Sequence, residues 1–371
     1  MSTPVKLERL PNFAILSEKV AARYARLTED GVYDLAPKER FWQARHQYLL
    51  DHGYLLRPRY TPGWEPSWIG TNHDPTYCED SIMLIDHQLM DATRLSDNER
   101  VAIKYFRRDS QENDIAQFFS SISDKRNHCV PIYEILPDPQ DPNLALMLMP
   151  YLRPCNNPEF VTIGDLVEFV DQTVEGLVFM HKHRVAHRDI AVENIMMDAK
   201  SLYPSGYHPI RLDYTPDTLY PVTPLPRAGR SVPYYYIDFG LSTRFPEGQS
   251  TFVLGDVGRE EVPELSDDTP YDAFKVDIWA LGNVYATEFT QKYKNTDFLL
   301  SLVERMTQRD PQSRPTAEEV MREWEKARAA IPGSLVHWRL TPHNEQPLER
   351  VVNDTVAAAR AGMYRLKKLV G

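Results

Sequence analysis

HRDIAVENIMMD, residues 187–198, is the most informative stretch of this chain. It packs a histidine, an arginine and an aspartate side by side, places Asn194 five residues after Asp189, and then turns apolar at NIMM (194–197), which reads as a short strand. Downstream, a second strand-like piece, YYYID (234–238), runs straight into Asp238-Phe239-Gly240. Further on, DIWALGNVYATEF (277–289) and TDFLLSLVERM (296–306) carry helical periods. Upstream, Leu166, Phe169, Val170, Val174, Leu177 and Val178 recur at helical spacing behind Thr162 or Asp165 as a cap. Before that helix lie strand-like SIMLIDHQLM (81–90), VAIKYF (101–106) and LALMLM (144–149), with a helix-period segment from Glu112 to Ser121 between the last two. A small strand-rich lobe followed by a larger helical lobe is an α+β arrangement.

The flanks are less regular. Residues 12–53 read as helical, with FAILSEKVAARYARL and ERFWQARHQYLL carrying the period, and GYLLRPRYTPGWEPSW (53–68) then breaks it with prolines and aromatics. Such a set of large rings is costly to leave exposed and is expected to clamp the back of the small lobe. Lys200–Pro233 is Pro/Tyr-rich without a period, and the chain ends in a basic amphipathic stretch, TVAAARAGMYRLKKLV (355–370), expected to pack on the domain or fray. The balance of 42 Lys+Arg against 53 Asp+Glu leaves −11, which argues against a nucleic-acid partner. Cys78, Cys129 and Cys155 are widely spaced with no C-x-x-C pair, so neither a disulfide framework nor a cysteine-rich zinc site is expected. No apolar run is long enough to insert stably in a membrane, and the first residues lack the apolar core of a secretory signal. An intracellular protein, cytoplasmic or nuclear, is the expectation. His181 and His183, without acidic or cysteine neighbours at ligand spacing, read as surface helix residues rather than metal ligands.

The ordered set VAIK (101–104), HRD with Asn194, DFG (238–240) and DIWALG (277–282) resembles the eukaryotic protein kinase domain. GYLLRPRYTPGWEPSW, RNHCVP (126–131), HRDIAVENIMMD, YYYIDFGLS and the VPEL–PYD run (262–272) further resemble a family of fungal protein-kinase-domain proteins. The resemblance implies a bilobal fold: an N-terminal extension at 1–80, an N-lobe at 81–152, a C-lobe at 153–330 with an insert near 200–233, and a tail at 331–371. It implies ATP- and Mg²⁺-dependent transfer of the γ-phosphoryl group to a hydroxyl of a protein substrate, serine or threonine before tyrosine. Lys104 would set a positive charge against the nucleotide phosphates, and Glu112, with Ile115, Ala116 and Phe119 behind it on the buried face, would hold that lysine. Asp114 is its rival. Asp189 would be the catalytic base, Asn194 and Asp238 the metal ligands, and Met149, Pro150 and Leu152 would flank the adenine. Val262-Pro263-Glu264 would close the activation segment, with Glu264 paired to Arg314, while Asp277 would brace the catalytic loop. A phosphate at Ser250 or Thr251 would neutralise Arg188; Glu260 or Glu261 could serve instead.

Three positions depart from the family pattern. Counting back from VAIK, the phosphate-cradling loop falls on Ile82-Met83-Leu84-Ile85-Asp86-His87, which contains no glycine and carries an acid that would repel phosphate. Ala191 stands where serine/threonine kinases carry lysine, and Val257, seven residues before Glu264, stands where they carry threonine. These losses leave open a pseudokinase, a kinase-fold scaffold or binding module without catalysis.

Overall fold

The computed structural model describes residues 10–355 and 357–358; the rest of the basic C-terminal stretch read above lies outside the described residues. The chain divides into two units. The first comprises Met1–Arg108, Tyr133–Tyr151 and Leu202–Leu225, and the second Asp109–Ile132, Leu152–Ser201 and Pro226–Gly371.

The first unit begins with helices α1 (Glu18–Glu29), α2 (Pro37–Gln43) and α3 (His46–Asp51) and is built on an antiparallel sheet of β1 (Tyr54–Leu56), β2 (Leu89–Arg94), β3 (Glu99–Arg107), β4 (Glu134–Pro137) and β5 (Leu144–Pro150) in the order β1-β2-β3-β5-β4. Side chains alternate across a strand, so Val101 and Ile103 of β3 enter the core while Lys104 points to the opposite face from Ile103. The core partners of Val101 and Ile103 are Met90 and Ala92 of β2, Leu146 and Leu148 of β5, and Trp42 and Leu49 from the helices. A buried ion pair fastens those helices to the far edge of the sheet. Arg45 donates to Asp138 at 2.5 and 2.9 Å and lies over the Phe41 ring. The aromatic stretch at 53–68 does more than clamp the lobe: it supplies β1, and Tyr54, Leu56 and Tyr60 are part of the core.

SIMLIDHQLM is a strand only from Leu89 onward. The alternation that suggested a longer strand is real, since Ile82 and Leu84 are buried while Met83 and Ile85 are exposed. The backbone, however, bonds to side chains rather than to a neighbouring strand: Leu84 N–H donates to Glu39 Oε1 and Gln88 N–H to Asp86 Oδ1. The whole connection between β1 and β2, residues 57–88, is a folded excursion pinned by charge. Arg57 bonds Asp91 at 3.1 Å and Glu79 at 3.2 Å, fully buried Arg59 pairs with fully buried Glu39 at 2.7 Å, and Asp80 accepts from Trp64 Nε1, Ser67 N and Ser67 Oγ.

Most of the Pro/Tyr-rich insert joins this same unit. Leu225 N–H donates to Leu202 O and closes its base. Buried His208 has Nε2 3.4 Å from Glu79 while its Nδ1 accepts from Ile210 N and Arg211 N. Thr218 Oγ1 donates to Tyr77 O, Tyr151 OH donates to Pro209 O at 2.6 Å, and Tyr220 meets Phe13 edge-on. The insert is therefore tied to the N-terminal stretch and to the end of β5.

The second unit is mainly helical. It contains α4 (Gln111–Ser120), a three-stranded sheet ordered β6 (Arg153–Pro154), β8 (Ile195–Met197), β9 (Tyr234–Tyr236), and the long α5 (Ile163–Lys182). Thr162 caps α5 by accepting from Asp165 N while Asp165 accepts from Thr162 N. The apolar stripe read from the sequence, including Leu166, Phe169, Val170, Val174 and Leu177, is fully buried. Strand β7 (Val185–Ala186) pairs with β10 (Thr243–Arg244), β11 (Phe252–Gly255) pairs with β12 (Ser266–Asp272), and α6 (Ala273–Tyr285), α7 (Leu300–Met306) and α8 (Ala317–Ala329) complete the unit. All three cysteines are buried free thiols, and no described helix is long and apolar enough to cross a membrane.

Candidate active site

The turn between β7 and β8 carries His187–Asn194, and buried polar contacts fix its shape. Fully buried Asp277, on α6, accepts from His187 N at 2.8 Å and Arg188 N at 2.7 Å. His181 is not a surface residue: its Nε2 lies 2.9 Å from the same Asp277 carboxylate, and its ring stacks near Phe274. His183 turns back on its own helix, with Nδ1 2.8 Å from Phe179 O. Neither histidine belongs to a metal cluster, and no group of three or more His, Cys, Asp or Glu side chains able to hold a metal occurs among the described residues.

His187 is fully buried, and burial pushes its imidazole below the usual range. Its bonds match a neutral ring, since Nδ1 accepts from Asp189 N at 3.3 Å and Nε2 donates to Ile237 O at 3.0 Å. The lowered value has a sign for stability. Below about pH 6.5 the unfolded chain takes up a proton that the folded chain refuses, so this contribution is present above that pH and lost as pH falls. Between pH 7.5 and 5.5 the loss is up to about 1.4 kcal/mol. Thermal melts at the two pH values should therefore show a larger drop for the wild type than for His187→Phe; equal drops would refute it.

Asp189 lies at the mouth of this turn with its side chain 10% exposed. Its Oδ1 accepts from Arg259 N at 2.7 Å. Its Oδ2 accepts from Asn194 Nδ2 at 2.8 Å, and the Arg259 Nε lies 3.5 Å away. Asn194 Nδ2 also donates to Asp189 O at 2.8 Å. With its nitrogen committed twice to Asp189, Asn194 has its side-chain oxygen to offer a ligand.

Asp238 follows β9 in a left-handed conformation, φ 64°. Gly240 packs closely beside it: a Cβ there would lie 3.2 Å from Asp238 Oδ1 and 3.9 Å from Glu112 Oε2. That crowding places the Glu112 carboxylate against the Asp238 segment, whereas Asp114 is exposed on the outer side of α4. The structure thus gathers Glu112, Asp189, Asn194 and Asp238 in the second unit, together with buried Leu152. Lys104, Met149 and Pro150 belong to the first unit, where Lys104 on β3 pairs with Met147, Ala102 with Met149 and Val101 with Pro150.

Arg188 is met by neutral groups: its guanidinium donates to Leu241 O, Thr243 Oγ1, Leu254 O and Tyr271 OH. Glu260, offered above as its counter-charge, instead bonds Asn283, and burial pushes its carboxyl up. Thr251 Oγ1 donates to Asp272, and Ser250 Oγ accepts from Phe252 N. Glu264 and Arg314 pair as both arms of a fork, the Arg314 side chain being fully buried.

Arg259 is the residue that the sequence reading missed. The signal was present, since it is the lone cation in the otherwise acidic run Gly255–Glu264, and it directly follows a glycine.

Two comparisons complete the picture. No curated protein matches the chain. The protein kinase domain family matches residues 88–298, a span running from the start of β2 past α6 and covering VAIK, the catalytic turn and DFG. Because the match takes in more than half of the chain, this protein belongs to the protein kinase domain family.

Proposed function

We propose that the protein is an ATP-dependent protein kinase that phosphorylates serine or threonine hydroxyls with the help of Mg²⁺. The observation that carries this reading is the assembled catalytic turn, in which Asp277 holds the backbone and Asn194 and Arg259 orient the Asp189 carboxylate. In this reading the substrate hydroxyl oxygen attacks the γ-phosphorus, its proton passes to Asp189, and ADP leaves. Lys104 sets one positive charge against the phosphates and Glu112 holds it, while Met149, Pro150 and Leu152 flank the adenine. A hard divalent cation fits the donors on offer, a carboxylate from Asp238 and the side-chain oxygen of Asn194, with no sulfur or imidazole among them. Such an ion neutralises charge on the β- and γ-phosphates when bound.

The connection between β1 and β2 supports a second reading. The stretch that should offer backbone N–H groups to the phosphates is instead the folded 57–88 excursion, held by Arg57 and Arg59. ATP binding is therefore expected to be weak, and a scaffold without catalysis is the rival. Thermal shift separates the two. With ATP and Mg²⁺ at about five times their dissociation constant, stabilisation is about 1 kcal/mol, or roughly 1–2 °C. That shift should need Mg²⁺ and vanish in Asp238→Asn. Phosphate transfer from ATP to mixed protein substrates then tests the enzyme; no shift and no transfer at millimolar ATP would leave the scaffold reading.

A further inference from the structure

We propose that Arg259 takes over both groups that the catalytic apparatus lacks, the cation two residues beyond Asp189 and the hydroxyl seven residues before Glu264. The inference rests on the kinase reading and deepens it. Ala191 is buried and carries no charge, and Val257 is half exposed and carries no donor. Both missing groups would act on the catalytic aspartate and the phosphoryl group approaching it. Arg259 reaches the aspartate with a backbone donor and a charged side chain. Its backbone N–H donates to Asp189 Oδ1 at 2.7 Å, the bond a threonine hydroxyl would make. Its guanidinium Nε lies 3.5 Å from Asp189 Oδ2, placing a permanent positive charge beside the base.

The backbone around Arg259 favours this placement. Gly258 has φ 146°, a conformation that side chains rarely adopt, and a Cβ there would lie 3.4 Å from Arg188 O and 3.9 Å from Asp189 Oδ1. Glycine thus lets the segment lie flat on the catalytic turn, which brings the next N–H within bonding distance of the carboxylate. The neighbouring charges are of the opposite sign, with Asp256, Glu260 and Glu261 on the same segment and Glu193 on the turn. Arg188 is the other cation against this segment, but its guanidinium is held by Leu254 O and Tyr271 OH, whereas the Arg259 guanidinium lies beside the Asp189 carboxylate. The Arg259 side chain is 49% exposed, so it has solvent-side freedom to contact an incoming phosphate while still serving Asp189. Arg259 both positions the base and stabilises charge on the group in transfer.

Steady-state kinetics of the full-length wild type, Arg259→Ala and Arg259→Lys, with ATP and one fixed protein substrate, test the assignment. Arg259→Ala removes the guanidinium and keeps the backbone N–H, and loss of one preorganised electrostatic group lowers kcat about 100-fold. Arg259→Ala should show that loss with the KM for ATP changed less than about threefold, because the nucleotide-binding residues are untouched. Arg259→Lys should recover most of the rate, and added guanidinium ion at about 20 mM should restore part of it to Arg259→Ala but not to Asp189→Asn. Rescue by a free cation is a response that a merely structural role would not give. Melting temperatures within about 2 °C of wild type establish that the half-exposed substitution has not unfolded the chain. An unchanged or increased kcat in Arg259→Ala overturns the inference while leaving the kinase reading intact, an increase marking Arg259 as a plug on the base. A wild type that transfers no phosphate overturns both.

Discussion

Asparagine at position 189 should lower the rate of phosphate transfer about 1,000-fold, within the range of 10²–10⁴ that positioned general bases contribute. The substitution keeps the shape of the side chain but removes its capacity to take up a proton. It also changes the bonding. Asp189 accepts from Arg259 N through one oxygen and from Asn194 Nδ2 through the other. An amide has only one oxygen, so in Asp189→Asn one of those donors faces an NH₂ group. The expected loss of stability is about 1–3 kcal/mol, the cost of an orphaned polar group in a largely buried site. The Mg²⁺-dependent nucleotide shift should survive, because Asp238 and Lys104 are unchanged. Single-turnover transfer at saturating ATP is the measurement, and a rate within fivefold of wild type would remove Asp189 from its assigned role.

Alanine in place of Glu264 should cost about 3–5 kcal/mol, the penalty for stranding a buried charge without its partner. Arg314 donates to both Glu264 oxygens, and its other donors are held by Gln308 O, Lys275 O and Arg309 O while its guanidinium stacks near Trp279. Nothing in that cage can replace the lost negative charge. A fall in Tm of about 5 °C is expected. Glu264→Ala combined with Arg314→Met should recover part of the loss, since a neutral side chain of similar volume removes the stranded charge. If the double variant is as unstable as the sum of the single ones, the ion pair is not the cause.

Much of this structure was legible in the sequence because its signals are local. The β-branched start of VAIKYF marks a strand, the apolar stripe from Leu166 to Leu177 marks α5, and Thr162-x-x-Asp165 marks its first turn. The meeting of Asp189 and Asn194 on one turn was legible because they sit five residues apart on one piece of chain. The unread parts depend on partners far away in sequence. β1 is three residues long, too short to show a period, and it exists because Tyr54–Leu56 pair with Arg94–Ala92. Ile82 and Leu84 alternate in burial without pairing in a sheet, so their pattern reported side-chain environment and not hydrogen bonding. His181 looked superficial until the Asp277 carboxylate, from a helix nearly a hundred positions later, was placed against it. Arg259 was overlooked because its importance comes from touching Asp189, seventy positions earlier.

The attachment of the insert to the first unit has a consequence for how the protein is made. A ribosome delivers that unit in three instalments: the stretch to Arg108, then Tyr133–Tyr151, and last Leu202–Leu225. Its sheet can close once β5 has emerged, but His208 and Pro209, which meet Glu79 and Tyr151, arrive more than fifty residues later, after the catalytic turn has been synthesised. Until then Glu79 and the Tyr151 hydroxyl lack these partners, and contacts so distant in sequence are slow to form. The first unit, its sheet already closed, is thus completed only by a clasp encoded between two segments of the second.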